Sequence, residues 1–260
     1  MTKTLLALAS MLAFAACQSA ETTGQPPAAP ADGEGVTMRI AQPDRLAGSY
    51  VDASGIKIDF ETARSGDNLF MNIASKGHEI IHAETTADQY VFRYLDGRLT
   101  LKVDKEWVQR VQAEGEGGPA AQDTSEMHWT GDMAVLDEMI AMPEAKALPW
   151  MSRALGSLGY TGSEFPASLP MHKMARQSAD ALGIELPPID TVDTESSFCT
   201  AYPNSGNQCY GMCGNGCNCW SWVCGDCCYH SGCARHDDWC RSGQWYYCYN
   251  ITAVIALFGC

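Results

Sequence analysis

Twelve of the thirteen cysteines in this 260-residue chain fall between Cys199 and Cys260, and this crowding constrains the fold more than any other feature. An even dozen in so short a tract reads as up to six disulfide bridges, provided the compartment oxidises thiols. A segment of that size buries too little apolar surface to hold one structure without staples. In a reducing compartment the same tract would read differently. Cys213, Cys217 and Cys219 would then be candidate zinc ligands.

The N-terminus decides for oxidation. Lys3 is a short positive region, and Leu5 to Phe14 is an apolar stretch too short to span a bilayer. Ala15 and Ala16 then supply the small residues of a cleavage site, so the segment reads as an export signal. The ending Phe14-Ala15-Ala16-Cys17 resembles the bacterial lipobox. That resemblance implies a signal peptide over residues 1–16 and a lipid on Cys17. Lipidation of Cys17 also leaves an even number of thiols. The expected location is the cell envelope, lipid-anchored in the periplasm or at the outer membrane, or else outside the cell.

Residues 17–35 are rich in Pro, Ala, Gly and Thr and read as a flexible tether. Residues 36–112 read as an antiparallel β domain. Ile56, Ile58 and Phe60 alternate, as do Leu69, Met71 and Ile73. Val91, Arg93 and Leu95 lead into Asp96-Gly97, and Leu99, Leu101 and Val103 lead out, which is a hairpin signature. Ser65-Gly66-Asp67-Asn68 is a second turn. His78 and His82, four apart on a strand, should share a face, more simply as surface or half-buried histidines than as a metal pair.

Residues 113–198 read as a loop, a helical segment and a linker. The loop ends at Glu126 and the helical pattern runs over 127–182. Met133, Leu136 and Ile140 recur at helical spacing up to Pro143. Met151, Leu155 and Leu158 do so up to Gly159, and Met171, Met174, Ala175 and Leu182 do so up to Gly183. The methionines are read as core, and residues 184–198 as the linker. The expected fold class is therefore α+β: a small N-terminal antiparallel sheet plus helices, then a disulfide-rich, mainly α C-terminal module over 199–260. The net charge of −14 argues against nucleic acid as a partner.

The tract from Cys209 to Cys240 carries the chemistry. Gly214 and Gly216 let the backbone turn tightly and offer carbonyl oxygens, which suit a hard cation. Further on, Cys233, His236 and Cys240 share one stripe if the segment is helical, with Asp237 one step round. Tyr210-Gly211-Met212-Cys213-Gly214-Asn215-Gly216, followed by Cys233-Ala-Arg-His236-Asp237, resembles the secreted phospholipase A2 family in its calcium loop and its histidine–aspartate helix.

The resemblance covers the C-terminal segment alone, and everything it implies is an expectation. The cofactor would be Ca²⁺, held by the carbonyls of Met212, Gly214 and Gly216 and by the Asp237 carboxylate. His236 would be the general base. Gly214 N–H would face the oxyanion, and Asn250 would fall where the family orients the histidine. Cys213 would pair with Cys233. The partner would be a phospholipid membrane or micelle. Trp220, Trp222, Trp239 and Trp245 would then form either an interfacial rim or core. A non-catalytic cystine-rich binding module of an exported lipoprotein remains the alternative.

Overall fold

Alternating side chains and tight turns build most of the molecule. The computed structural model describes residues 35–66, 68–114, 127–187, 189, 211, 220–224 and 233. Eight strands follow one another as an antiparallel meander in which each pairs with the next. They are β1 (Gly35–Gln42), β2 (Arg45–Val51), β3 (Lys57–Ser65), β4 (Asn68–Ser75), β5 (His78–Thr85), β6 (Gln89–Tyr94), β7 (Leu99–Asp104) and β8 (Met127–Gly131). Between β7 and β8 runs α1 (Lys105–Glu114). After β8 come α2 (Ala134–Ala141), α3 (Pro143–Ser157), a 3₁₀ turn at Pro166–Ser168, α4 (Leu169–Leu182) and the short α5 (Ser221–Cys224).

One face of the sheet meets the helices. Ile58 and Phe60, Met71 and Ile73, and Leu99, Leu101 and Val103 are all buried, as the alternation predicts. Met151, Leu155, Met171 and Met174 close the core from the helix side, so the methionine stripe is core. The Asp96-Gly97 hairpin is present, with Tyr94 opposite Leu99. Ser65 pairs with Asn68 at the other expected turn. In β6 the core face carries Tyr90, Phe92 and Tyr94, not the Val91 and Arg93 of the sequence alternation. Both faces of that strand bear large side chains, so periodicity alone does not orient it.

The expected fold class needs correcting. The sheet is not small, and no separate disulfide-rich α module follows it among the described residues. The described part of 199–260 consists of Gly211, Trp220, α5 and Cys233, and Trp220, Trp222, Val223 and Cys233 lie in the same hydrophobic core as the sheet and helices. Three local signals account for the difference. Asp104 Oδ1 accepts the Glu106 N–H at 2.8 Å, an N-terminal cap that starts α1 inside the stretch read as strand. Met127 and Trp129 alternate on an edge strand where a helix had been expected, paired with Val103 and Leu101. Leu186 and Ile189 are buried although they fall in the stretch read as linker.

Candidate functional site

Most of the residues singled out by the motif lie outside the described residues. These are Cys17, Met212, Cys213, Gly214, Gly216, His236, Asp237 and Asn250. Cys233 is described. It is fully buried and disulfide-bonded, and the ammonium of Lys173 lies 3.6 Å from its sulfur. Trp220 and Trp222 are fully buried and stacked at 5.2 Å, so these two belong to the core and not to an interfacial rim.

What the structure brings together is a polar socket on α3 and α4 that receives α5. It is built from local sequence. α3 ends in a left-handed turn at Gly159 (φ +85), with Gly159 N–H bonded to Gly156 O and Tyr160 N–H to Leu155 O. This pair of bonds is the Schellman arrangement. It holds the Tyr160 carbonyl at 2.8 Å from His172 Nε2. On the other side of the ring, Nδ1 lies 2.8 Å from Ser152 Oγ. Ser152 Oγ in turn lies 3.0 Å from the indole Nε1 of Trp222.

The proton positions follow from what each group can do. A carbonyl only accepts, so His172 Nε2 carries the proton and Nδ1 accepts from the Ser152 hydroxyl. An indole N–H only donates, so Ser152 accepts from Trp222. Burial, followed by the neighbouring Lys173 charge, pushes the His172 pKa down to about 4, with the Tyr160 hydrogen bond acting in the opposite direction. The imidazole is thus neutral. A serine beside a histidine has the outline of a nucleophile and base. Here both are fully buried, and the serine oxygen already holds an indole. The trio is a staple between three chain segments.

Two glycines complete the socket. A side chain on Gly156 would sit 2.6 Å from Cβ and Cγ of Trp222. One on Gly162 would collide with the Val223 carbonyl oxygen. Gly162 N–H also donates to Trp222 O at 2.9 Å. The Gly156-Ser-Leu-Gly159-Tyr-Thr-Gly162 spacing was the sequence signal for this surface, of which the sequence reading used only Gly159, as a helix stop.

The outer face of the sheet carries a second cluster. His78 and His82 do not share it as expected. The register passes from Ile73 opposite Ile81 to Ala74 opposite Glu79, a bulge that leaves Ile80 over. It moves Glu79 beside His82 and turns His78 towards Asp96, at 3.0 Å. Glu79 approaches His82 Nδ1 at 3.3 Å and Glu84 approaches Nε2 at 3.6 Å, while Arg93 reaches both carboxylates. The two carboxylates address opposite nitrogens of one ring, and the cation they share is the Arg93 guanidinium. Among the described residues no group of three His, Cys, Asp or Glu could hold one. An open cleft of about 480 Å³ lies between Asp44, Arg64, Pro166 and Leu169. Among the described residues no helix is long and apolar enough to cross a membrane.

Set beside family models, curated proteins and solved structures, the chain matches none of them.

Proposed function

We propose that residues 199–260 hydrolyse phospholipid esters in a calcium-dependent reaction, on a chain exported and lipid-anchored through Cys17. The reading is carried by one observation, the succession of Tyr210–Gly216 and Cys233-Ala-Arg-His236-Asp237 in a cysteine-dense exported segment. The burial and disulfide bonding of Cys233 support it, since the resemblance requires that cysteine to tie the histidine segment to the loop.

His236 takes a proton from water as the water oxygen attacks the ester carbon. The Asn250 side chain holds the imidazole in one tautomer, and the Gly214 N–H stabilises the developing oxyanion. Met212, Gly214 and Gly216 carbonyls, with the Asp237 carboxylate, would hold Ca²⁺. A bound Ca²⁺ supplies the charge that polarises the ester carbonyl. The products are a fatty acid and a lysophospholipid.

The second reading is a non-catalytic cystine-rich binding module. Asn250 favours it, because an amide cannot stabilise an imidazolium as a carboxylate does. So does the use of Trp220 and Trp222 as core rather than as a lipid-facing rim. The deciding experiment incubates the purified oxidised protein with phosphatidylcholine and phosphatidylglycerol liposomes, with Ca²⁺ or with chelator. Fatty acid released only with Ca²⁺ supports hydrolysis. No release under either condition leaves the binding module.

A further inference from the structure

We propose that the α3–α4 face is a template on which residues 199–260 fold and pair their cysteines, with Trp222 as the anchor. The inference does not rest on lipid hydrolysis and holds equally for a binding module.

The socket is made entirely within residues 143–182. The Schellman end of α3, the His172 bond to Tyr160 and the Ser152 bond to His172 all lie upstream of residue 199 and need nothing from the C-terminal segment. They can form before the C-terminal segment arrives. The large side chains of that segment which are described find their cover on this surface. Trp222 lies on Gly156, bonds Ser152 through its indole and Gly162 through its carbonyl. Trp220 stacks on Trp222, and the Cys233 sulfur sits against Lys173. These apolar groups are fully buried, on a core that the upstream residues supply.

The consequence concerns pairing. Twelve thiols allow on the order of ten thousand complete pairings. Docking Trp222 places α5, whose last residue is Cys224, and the Lys173 contact places Cys233. Two of the cysteines are thereby positioned by the upstream body before any bridge need form. The covalent step itself is ordinary exchange. A cysteine thiolate attacks a disulfide oxidant, such as oxidised glutathione, and releases one reduced glutathione. A second cysteine thiolate then displaces the other from the mixed disulfide.

The test refolds the full reduced chain in a glutathione redox buffer. Samples are quenched with an alkylating agent and read by intact mass, while pulsed hydrogen exchange follows strands β2 to β7. Strand protection should return while most thiols in 199–260 are still alkylated, and a single oxidised species should follow. The informative variant is Gly156→Ala. Alanine favours the helix over glycine, so α3 itself is not weakened, but the new methyl occupies the place of the Trp222 ring. This variant should recover strand protection yet give a mixture of oxidised and part-alkylated forms. Exposed Ser157→Ala should behave as wild type. The proposal is overturned if Gly156→Ala reaches the same single species at the wild-type rate. It is also overturned if wild type completes its native pairing before the strands are protected. That second measurement decides the matter even if Gly156→Ala does not fold.

Discussion

The indole N–H of Trp222 meets the hydroxyl of Ser152 at 3.0 Å, and both residues are fully buried. Ser152→Ala removes one oxygen and orphans two groups, the Trp222 indole and His172 Nδ1. An unsatisfied buried polar group costs roughly 1–3 kcal/mol. The variant should therefore unfold at clearly lower denaturant, with a loss of roughly 2–6 kcal/mol by that reckoning. Urea titration with the disulfides intact measures it. A loss below about 0.5 kcal/mol, the ordinary scatter of surface changes, would rule out the staple.

His172 should make stability fall on the acid side. In the unfolded chain the imidazole takes up a proton near pH 6.5, whereas in the folded protein burial delays this to about 4. The folded state therefore binds fewer protons between those values. Its advantage is complete above about 6.5 and is lost as the pH falls towards 4. The difference amounts to about 3 kcal/mol. His172→Gln lowers stability at neutral pH but removes this component of the slope. Denaturation midpoints at several pH values, wild type against variant, should converge as the pH approaches 4. Parallel curves would mean that His172 does not titrate in this way.

Most of the sheet was legible because period-two alternation survives in β3, β4 and β7. β1 and β2 were not singled out. Gly35–Gln42 does carry Val36, Met38 and Ile40 at period two, all only half-buried, and Gly48 of β2 lies where a Cβ would meet Phe60. The bulge at Ile80 was illegible because nothing in Glu79-Ile80-Ile81 departs from strand chemistry, yet it decides whether His78 or Glu79 neighbours His82. The Ser152–His172–Trp222 staple joins residues far apart in sequence. Spacing within a segment carries no information about such a contact. His172 sits between Met171 and Met174, and a histidine in an apolar stripe was the one available hint. The motif residues around His236 were fully legible as sequence, and their positions fall outside the described residues.

The anchor is tested by fractionation. Cys17→Ser removes the proposed lipid attachment site, so the protein should move from the membrane pellet to the soluble fraction. A single acyl chain binds only weakly, and firm retention takes two or more. With two or more chains on Cys17, wild type should stay in the pellet through a high-salt wash. If Cys17→Ser stays there as well, Cys17 does not hold the protein at the membrane.

The proposed dyad makes the sharpest separation, because its two members have different tasks. Under the proposed mechanism His236 would handle a proton and not touch the metal. Asp237 would supply the negative ligand, without which backbone carbonyls hold a divalent cation poorly. His236→Gln should therefore reduce fatty acid release by at least 100-fold, the order expected for loss of a general base, with calcium affinity nearly unchanged. Asp237→Asn should lose both activities. On the helix that the resemblance implies, Asp238 would fall one further step round and off the dyad's face, so Asp238→Asn should lose neither. Calorimetry with Ca²⁺ on the three variants, beside liposome hydrolysis, reads the pattern. Calcium binding that survives in Asp237→Asn but disappears in Asp238→Asn would shift the ligand by one residue. Hydrolysis that persists in His236→Gln at the wild-type rate would remove the histidine from the chemistry altogether.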